Sequence, residues 1–127
     1  MEFQLEDGTV FPSPNRATLE HWLKTLAPGT ANTFAVLDIY GAIAGPAFIQ
    51  VACEGGGYVI EKREGNPPHH FRAFRKKTGW KLLGCGGGGR IFSNSEAIKA
   101  VCAFAFGEPI TPDFIEWQNM DAEVGLG

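Results

Sequence analysis

His69 and His70 are the only adjacent histidines in a chain of 127 residues. Imidazole nitrogens bind metals and exchange protons near neutral pH, so this pair is the first place to look for chemistry. Neighbouring residues on a strand point to opposite faces, which keeps the two rings from converging on one ion. A zinc site would need further ligands at fixed spacing. His21, Cys53 and the carboxylates are available, but no spacing nominates them. Neither a metal nor a cofactor is expected.

The other reactive groups point the same way. Gly86-Gly87-Gly88-Gly89-Arg90 has the flexibility of a phosphate loop, yet no Lys-Ser/Thr follows and Ile91-Phe92 intervenes before the next helix. A phosphate loop opens directly into a helix with those residues in place, so a flexible connection is expected instead. Three cysteines, Cys53, Cys85 and Cys102, are widely spaced with no Cys-x-x-Cys, as for reduced thiols. Cys85, between glycines, is the thiol best placed to react, and Cys102 falls on the apolar face of a helix. No Gly-x-Ser-x-Gly elbow occurs, nor a His-x-Glu with Pro-Cys-x-x-Cys. The chain is therefore expected not to be an enzyme.

Charge is uneven. Residues 62–90 hold eight Lys or Arg and one acid, whereas the remainder holds three bases and thirteen acids, for a net charge of −3. Phe71, Phe74 and Trp80 lie among Arg72, Arg75, Lys76, Lys77 and Lys81, a mixture that can stack on bases and meet phosphates. A small nucleic-acid-binding module using 62–90 is the alternative function. Strand alternation weakens it, because His70, Arg72 and Phe74 face one way and His69, Phe71, Ala73 and Arg75 the other. Basic strands lying beside acidic ones in the same sheet explain the asymmetry more simply.

The elements that must position these groups read as α+β. Residues 2–11 form a short hairpin turning at Asp7-Gly8. Leu19, Trp22, Leu23 and Leu26 share one face of a helix from about Ala17 to Ala27, stopped by Pro28-Gly29. Strands are expected at Thr33–Ile39, Ala47–Cys53, Tyr58–Arg63 and His69–Lys76, with Trp80–Leu83 a possible short addition before the Gly84–Gly89 loop. Ser93 and Glu96 make a capping box for a helix whose stripe is Ile98, Val101, Cys102 and Ala105, widened by Phe104 and Phe106. Gly107 and Pro109 end it. Phe114–Trp117 is a closing strand. The expected architecture is an antiparallel meander of four to six strands covered by an N-terminal and a C-terminal helix. One domain spans 1–127, with about 121–127 a frayed tail. No apolar run reaches the ~20 residues that span a bilayer. Glu2, Glu6 and Asp7 argue against a signal peptide, so a cytoplasmic protein with no membrane partner is expected.

The order of these parts resembles a family of small bacterial immunity proteins from polymorphic toxin systems, including those that neutralise secreted deaminase toxins. The resemblance runs over roughly residues 17–120. It rests on Thr18-Leu19-Glu20-His21-Trp22-Leu23, Ala31-Asn32-Thr33-Phe34-Ala35-Val36-Leu37, the paired Phe48–Val51 and Tyr58–Glu61, and Ser93–Phe106 followed by Ile115-Glu116-Trp117. It implies a non-enzymatic inhibitor that binds a cognate toxin domain and blocks its active site. The family's contact residues differ with the toxin, so the candidates come from charge and residue type. Glu54, Glu61 and Glu64 lie on or near the Gly55–Gly57 hairpin. Glu108, Asp113 and Glu116 surround the last turn. Tyr40, Tyr58 and Trp117 are aromatic anchors of the kind that dominate interfaces, although Trp117 is better placed to pack against the capped helix.

Overall fold

The computed structural model describes residues 1–39, 47–65, 67–76, 89–107 and 114–125. Its seven strands are β1 (Glu2–Leu5), β2 (Val10–Pro12), β3 (Phe34–Asp38), β4 (Phe48–Glu54), β5 (Gly57–Glu64), β6 (His69–Arg75) and β7 (Ile115–Asn119). The helices are α1 (Arg16–Lys24), α2 (Asn94–Phe106) and α3 (Asp121–Val124). The fold is α+β, as expected. The strands form one antiparallel sheet in the order β2-β1-β3-β4-β5-β6-β7. That is seven strands instead of four to six, because both the N-terminal hairpin and the closing strand join the sheet. It is a meander only from β3 onward. β1 pairs with both β2 and β3, so α1 carries the chain across β1.

Alternation sorts the strands cleanly. Phe3, Leu5, Ala35, Leu37, Ile49, Val51, Ile60 and Ala73 form one core with Leu19, Leu23 and Leu26, and with the buried side of α2. Each large side chain so buried stabilises the fold by about 1.5–3 kcal/mol. The two long helices therefore share one face of the sheet.

Local chemistry sets the helix ends. Asn15 caps α1 by accepting from the Thr18 N–H at 2.8 Å. The helix stops sooner than the apolar spacing suggests, because the Thr25 hydroxyl donates to the Trp22 carbonyl and Thr25 N–H bonds the same oxygen. That tightens the last turn, and Leu26 enters the core from beyond it. The capping box of α2 forms as the sequence indicates, and Gly107 ends the helix at φ 60°. Phe106 does not widen the buried stripe. It is 38% exposed, with the Arg16 guanidinium over its ring, while Ala97 and Ala100 are buried instead. Residues 121–124, expected within a frayed tail, form α3. Asp121 ties it to β6 by accepting from the His70 N–H at 2.8 Å and meeting His69 Nδ1 at 2.7 Å. Trp80–Leu83, most of the Gly84–Gly89 loop with Cys85, and Pro109 lie outside the described residues.

One feature interrupts the sheet. Near the start of β5 its second edge is taken by Phe92, not by β6. Tyr58 and Phe92 exchange both backbone hydrogen bonds, and Arg75 N–H donates to the Gly89 carbonyl. Residues 89–92 thus wedge between β5 and β6. The Phe92 ring is 1% exposed, so its burial, worth about 2–3 kcal/mol, outweighs either hydrogen bond at about 1 kcal/mol. The wedge fits only because residue 57 has no side chain. A Cβ there would lie 2.5 Å from Ile91 Cγ2 and 2.7 Å from the Phe92 carbonyl oxygen. Gly57→Ala is expected to cost about 1–3 kcal/mol through overpacking. Chemical denaturation would measure it, and unchanged stability would show that the wedge shifts freely.

Candidate functional site

With both long helices on one side, the opposite face of the sheet carries the remaining side chains. Register places them in three rows. The first runs Glu2, Asp38, Phe48, Arg63, His70. The second runs Gln4, Val36, Gln50, Glu61, Arg72, Gln118. The third is apolar: Phe34, Ala52 and Val59, continued beyond the wedge by Phe74 and then Glu116. Phe34, Ala52 and Phe74 are part-exposed.

The charges on and around this sheet are largely spoken for. Glu61 meets His70 Nε2 at 2.6 Å and accepts from Arg72 Nε at 3.0 Å. Burial pushes its carboxyl up, but the bonds from His70 and Arg72 outweigh that and hold it below the ordinary range. Arg75 donates through two nitrogens to Glu96, at 2.9 and 2.7 Å. That bidentate pair, aided by the Ser93 backbone, holds the Glu96 carboxyl down at about 2. Lys62 pairs with Glu64, and Arg90 with Glu54. Four cations of the basic segment are thereby matched to carboxylates within the fold.

The candidates from sequence do not form one cluster. Glu54, Glu61 and Glu116 lie on the open face. Glu64 and Tyr58 point to the helix side, and the Tyr58 hydroxyl donates to the Leu26 carbonyl at 2.7 Å. That bond clasps α1 to β5 and takes Tyr58 out of the open face. Trp117 packs against the core with Lys62 Nζ 4.4 Å above its ring. Tyr40, Glu108 and Asp113 lie outside the described residues. Glu6 and Asp7, not nominated from sequence, extend the acidic rim beside Phe34. Hydrogen bonds from Thr33 and Thr9 respectively keep both carboxyls below the ordinary range.

The first two rows also enclose a cleft of about 350 Å³. Val36 and Phe48 make its floor, and Glu2, Gln4, Asp38, Gln50 and Arg63 its walls. Arg63 lies with its guanidinium carbon 5.5 Å from the Phe48 ring centroid. Sequence reasoning missed this cleft. The parity of 2 and 4, 36 and 38, and 48 and 50 would have put these residues on one face with 63, had the pairing order been known. Among the described residues, no three of His, Cys, Asp and Glu converge as a metal site, and no helix is long and apolar enough to cross a membrane. No family model, curated protein or solved structure matches the chain.

Among the depressed carboxyls, Glu61 and Glu96 are the two held by arginine and contribute to the acid response. Their contribution is full above the ordinary value of 4.5 and is lost as pH falls toward the folded value, about 2 for Glu96. Thermal stability should therefore decline across that window, and less steeply in Glu96→Gln and Glu61→Gln. At neutral pH Glu61→Gln should cost about 1–3 kcal/mol, because it weakens the bonds to His70 and Arg72. Melting curves from pH 7 to 2 test both; variants as acid-sensitive as the wild type would reject the assignment.

Proposed function

We propose that this chain is an immunity protein that binds a cognate secreted bacterial toxin and blocks its active site. The observation that carries the reading is the third row of the open face, an apolar strip rimmed by Glu6, Asp7, Glu54 and Glu116. A toxin acting on nucleic acid needs a basic cleft for its substrate. An apolar strip edged by carboxylates complements such a cleft, and opposite charge speeds encounter. Six strand spacings of ~4.8 Å by roughly five residues of ~3.4 Å give a platform on the order of 29 by 17 Å. That is about 490 Å² in projection, somewhat over half of the ~800 Å² per partner of a stable complex, so the acidic rim must supply the rest.

The exposed Glu54–Arg90 pair does not oppose docking. Both side chains are about half exposed, and such pairs contribute about 0–1 kcal/mol, so a toxin cation can displace Arg90. The order of segments that resembles the immunity family supports the same class. The nucleic-acid alternative draws less support, because Lys62, Arg72, Arg75 and Arg90 already face carboxylates.

Co-expression with the toxin encoded beside it tests the reading. Rescue of growth and a co-purifying complex are expected. Phe74→Asp and Ala52→Lys, both on part-exposed positions of the strip, should each weaken the complex at least ~10-fold if they lie in its desolvated centre. Circular dichroism and melting would confirm that the variants remain folded. A toxin that kills regardless, with no complex formed, would overturn the reading. Titration with single-stranded oligonucleotides at low salt should show no binding, and tight salt-dependent binding there would favour the alternative.

A further inference from the structure

A sheet that does not close has two edges, and the two here are built differently. β2 is three residues long and ends in Pro12, with Ser13 beyond it at φ 53°. Proline has no N–H to donate, and a short edge with a sharp exit offers little to a further strand. β7 is five residues long and contains no proline, lysine or arginine. Its pairing with β6 fixes which of its backbone groups are spent. Met120 N–H donates to the His70 carbonyl and Lys76 N–H to the Phe114 carbonyl, so Glu116 and Gln118, of the same parity, turn their backbone groups toward β6. Ile115, Trp117 and Asn119 turn theirs outward. Among the described residues, no backbone hydrogen bond reaches those outward N–H and C=O groups. The helices lie elsewhere: α1 packs on α2, α2 on β4 and β5, and α3 turns back onto β6 through Asp121. The Trp117 ring likewise meets Lys62 of β5, two strands inward, which leaves the rim to the backbone.

The side chains of β7 say what this edge accepts. Glu116 and Gln118 project on the open face, and both are exposed. When two copies of one strand pair antiparallel about a two-fold axis, the residue on the axis faces itself. An axis at Glu116 would set two carboxylates against each other, which cross-strand pairing penalises. An axis at Trp117 joins outward backbone to outward backbone and engages Ile115, Trp117 and Asn119 of both strands. Trp117 then exchanges both hydrogen bonds with Trp117 of the second copy, and Ile115 does so with Asn119. Each Glu116 carboxylate lies opposite a Gln118 carboxamide, which can donate to it. We propose that β7 is the contact through which two copies of this chain pair, edge to edge, into one continuous antiparallel sheet. The contact is self-complementary, so pairing consumes the β7 edge of both copies. The far edge of each copy is β2, guarded by Pro12, so the assembly closes at two. An edge of five residues, about 17 Å long and ~10 Å deep, presents about 170 Å² in projection. That is well below the ~800 Å² per partner of a stable complex, so the pair forms and separates with concentration. Residues directly opposite share a face, so both open faces lie on one side of the joined sheet and the pairing does not depend on toxin docking.

Sedimentation of the isolated chain from about 1 μM to about 1 mM tests this, a span that covers micromolar to millimolar pairing. The mass should rise from that of one chain toward that of two, and no further. Over the same range the backbone amide signals of Ile115, Trp117 and Asn119 should shift with saturation and gain protection from hydrogen exchange, while those of β2 stay constant. Gln118→Lys sets a cation opposite Glu116 at both symmetric positions and should tighten the pair about 2- to 30-fold, as expected for two cross-strand charge pairs. Gln118→Glu should weaken it by a similar factor. Gln118 is exposed, and melting curves check that both variants fold. The wild-type dilution series decides alone if a variant does not. A chain that stays monomeric at about 1 mM would overturn the proposal and leave the edge to a strand from another protein. So would a dimer whose amide shifts lie outside residues 115–119, or whose strength is indifferent to the charge at position 118.

Discussion

Every strand residue of this sheet is committed to one of two faces, and both long helices lie on the same one. That constraint governs the rest of the molecule. The period of two sends Phe3, Leu37, Val51 and Ile60 under the helices and leaves Phe48, Glu61, Arg63 and Arg72 on the other side. A one-residue slip in any strand would exchange these sets and bury charge in the core, so the register is held by the core itself. The open face owes its three rows to the same constraint, because side chains at equal depth along neighbouring strands must line up.

The uneven charge distribution acquires a physical meaning in that frame. Cations concentrated between residues 62 and 90 look in sequence like a surface awaiting an anion. In the fold three of them sit beside carboxylates from other elements: Arg75 beside Glu96 of α2, Arg90 beside Glu54 of β4, Arg72 beside Glu61 of β5. Half of the segment's eight cations are thus neutralised by ion pairs in space. Among the described residues, exposed Glu116 stays outside these pairs, beside the apolar strip.

Much of the architecture was legible from local signals. The capping box at Ser93 and Glu96 is self-contained chemistry, and so is the glycine stop at residue 107. Alternation along β6 also emerged as read, with Phe71 and Phe74 on opposite faces. What sequence did not reveal depended on pairing. No local pattern says that β1 will pair on both sides, or that Phe92 will take the place of β6 beside Tyr58. For the same reason Tyr58 looked like an exposed aromatic, although its hydroxyl ends on the Leu26 carbonyl across the core. The cleft was hidden similarly, since its walls come from four strands spread over more than sixty residues. The early stop of α1 turned on a single hydroxyl at Thr25 that competes for the Trp22 carbonyl.

The wedge of residues 89–92 also imposes an order in time. While the chain emerges from the ribosome, β1 to β5 can pair as soon as they are made, and Leu19 and Leu23 of α1 can cover them. The second edge of β5 at Tyr58 stays unsatisfied until Phe92 has been synthesised, 34 residues later. Closing a loop of that length costs ~3 kcal/mol beyond the constant term. The burial of Phe92 is of the same size and arrives at the same moment. Because Ser93, the N-cap of α2, directly follows Phe92, sealing β5 and placing the start of α2 are geometrically coupled.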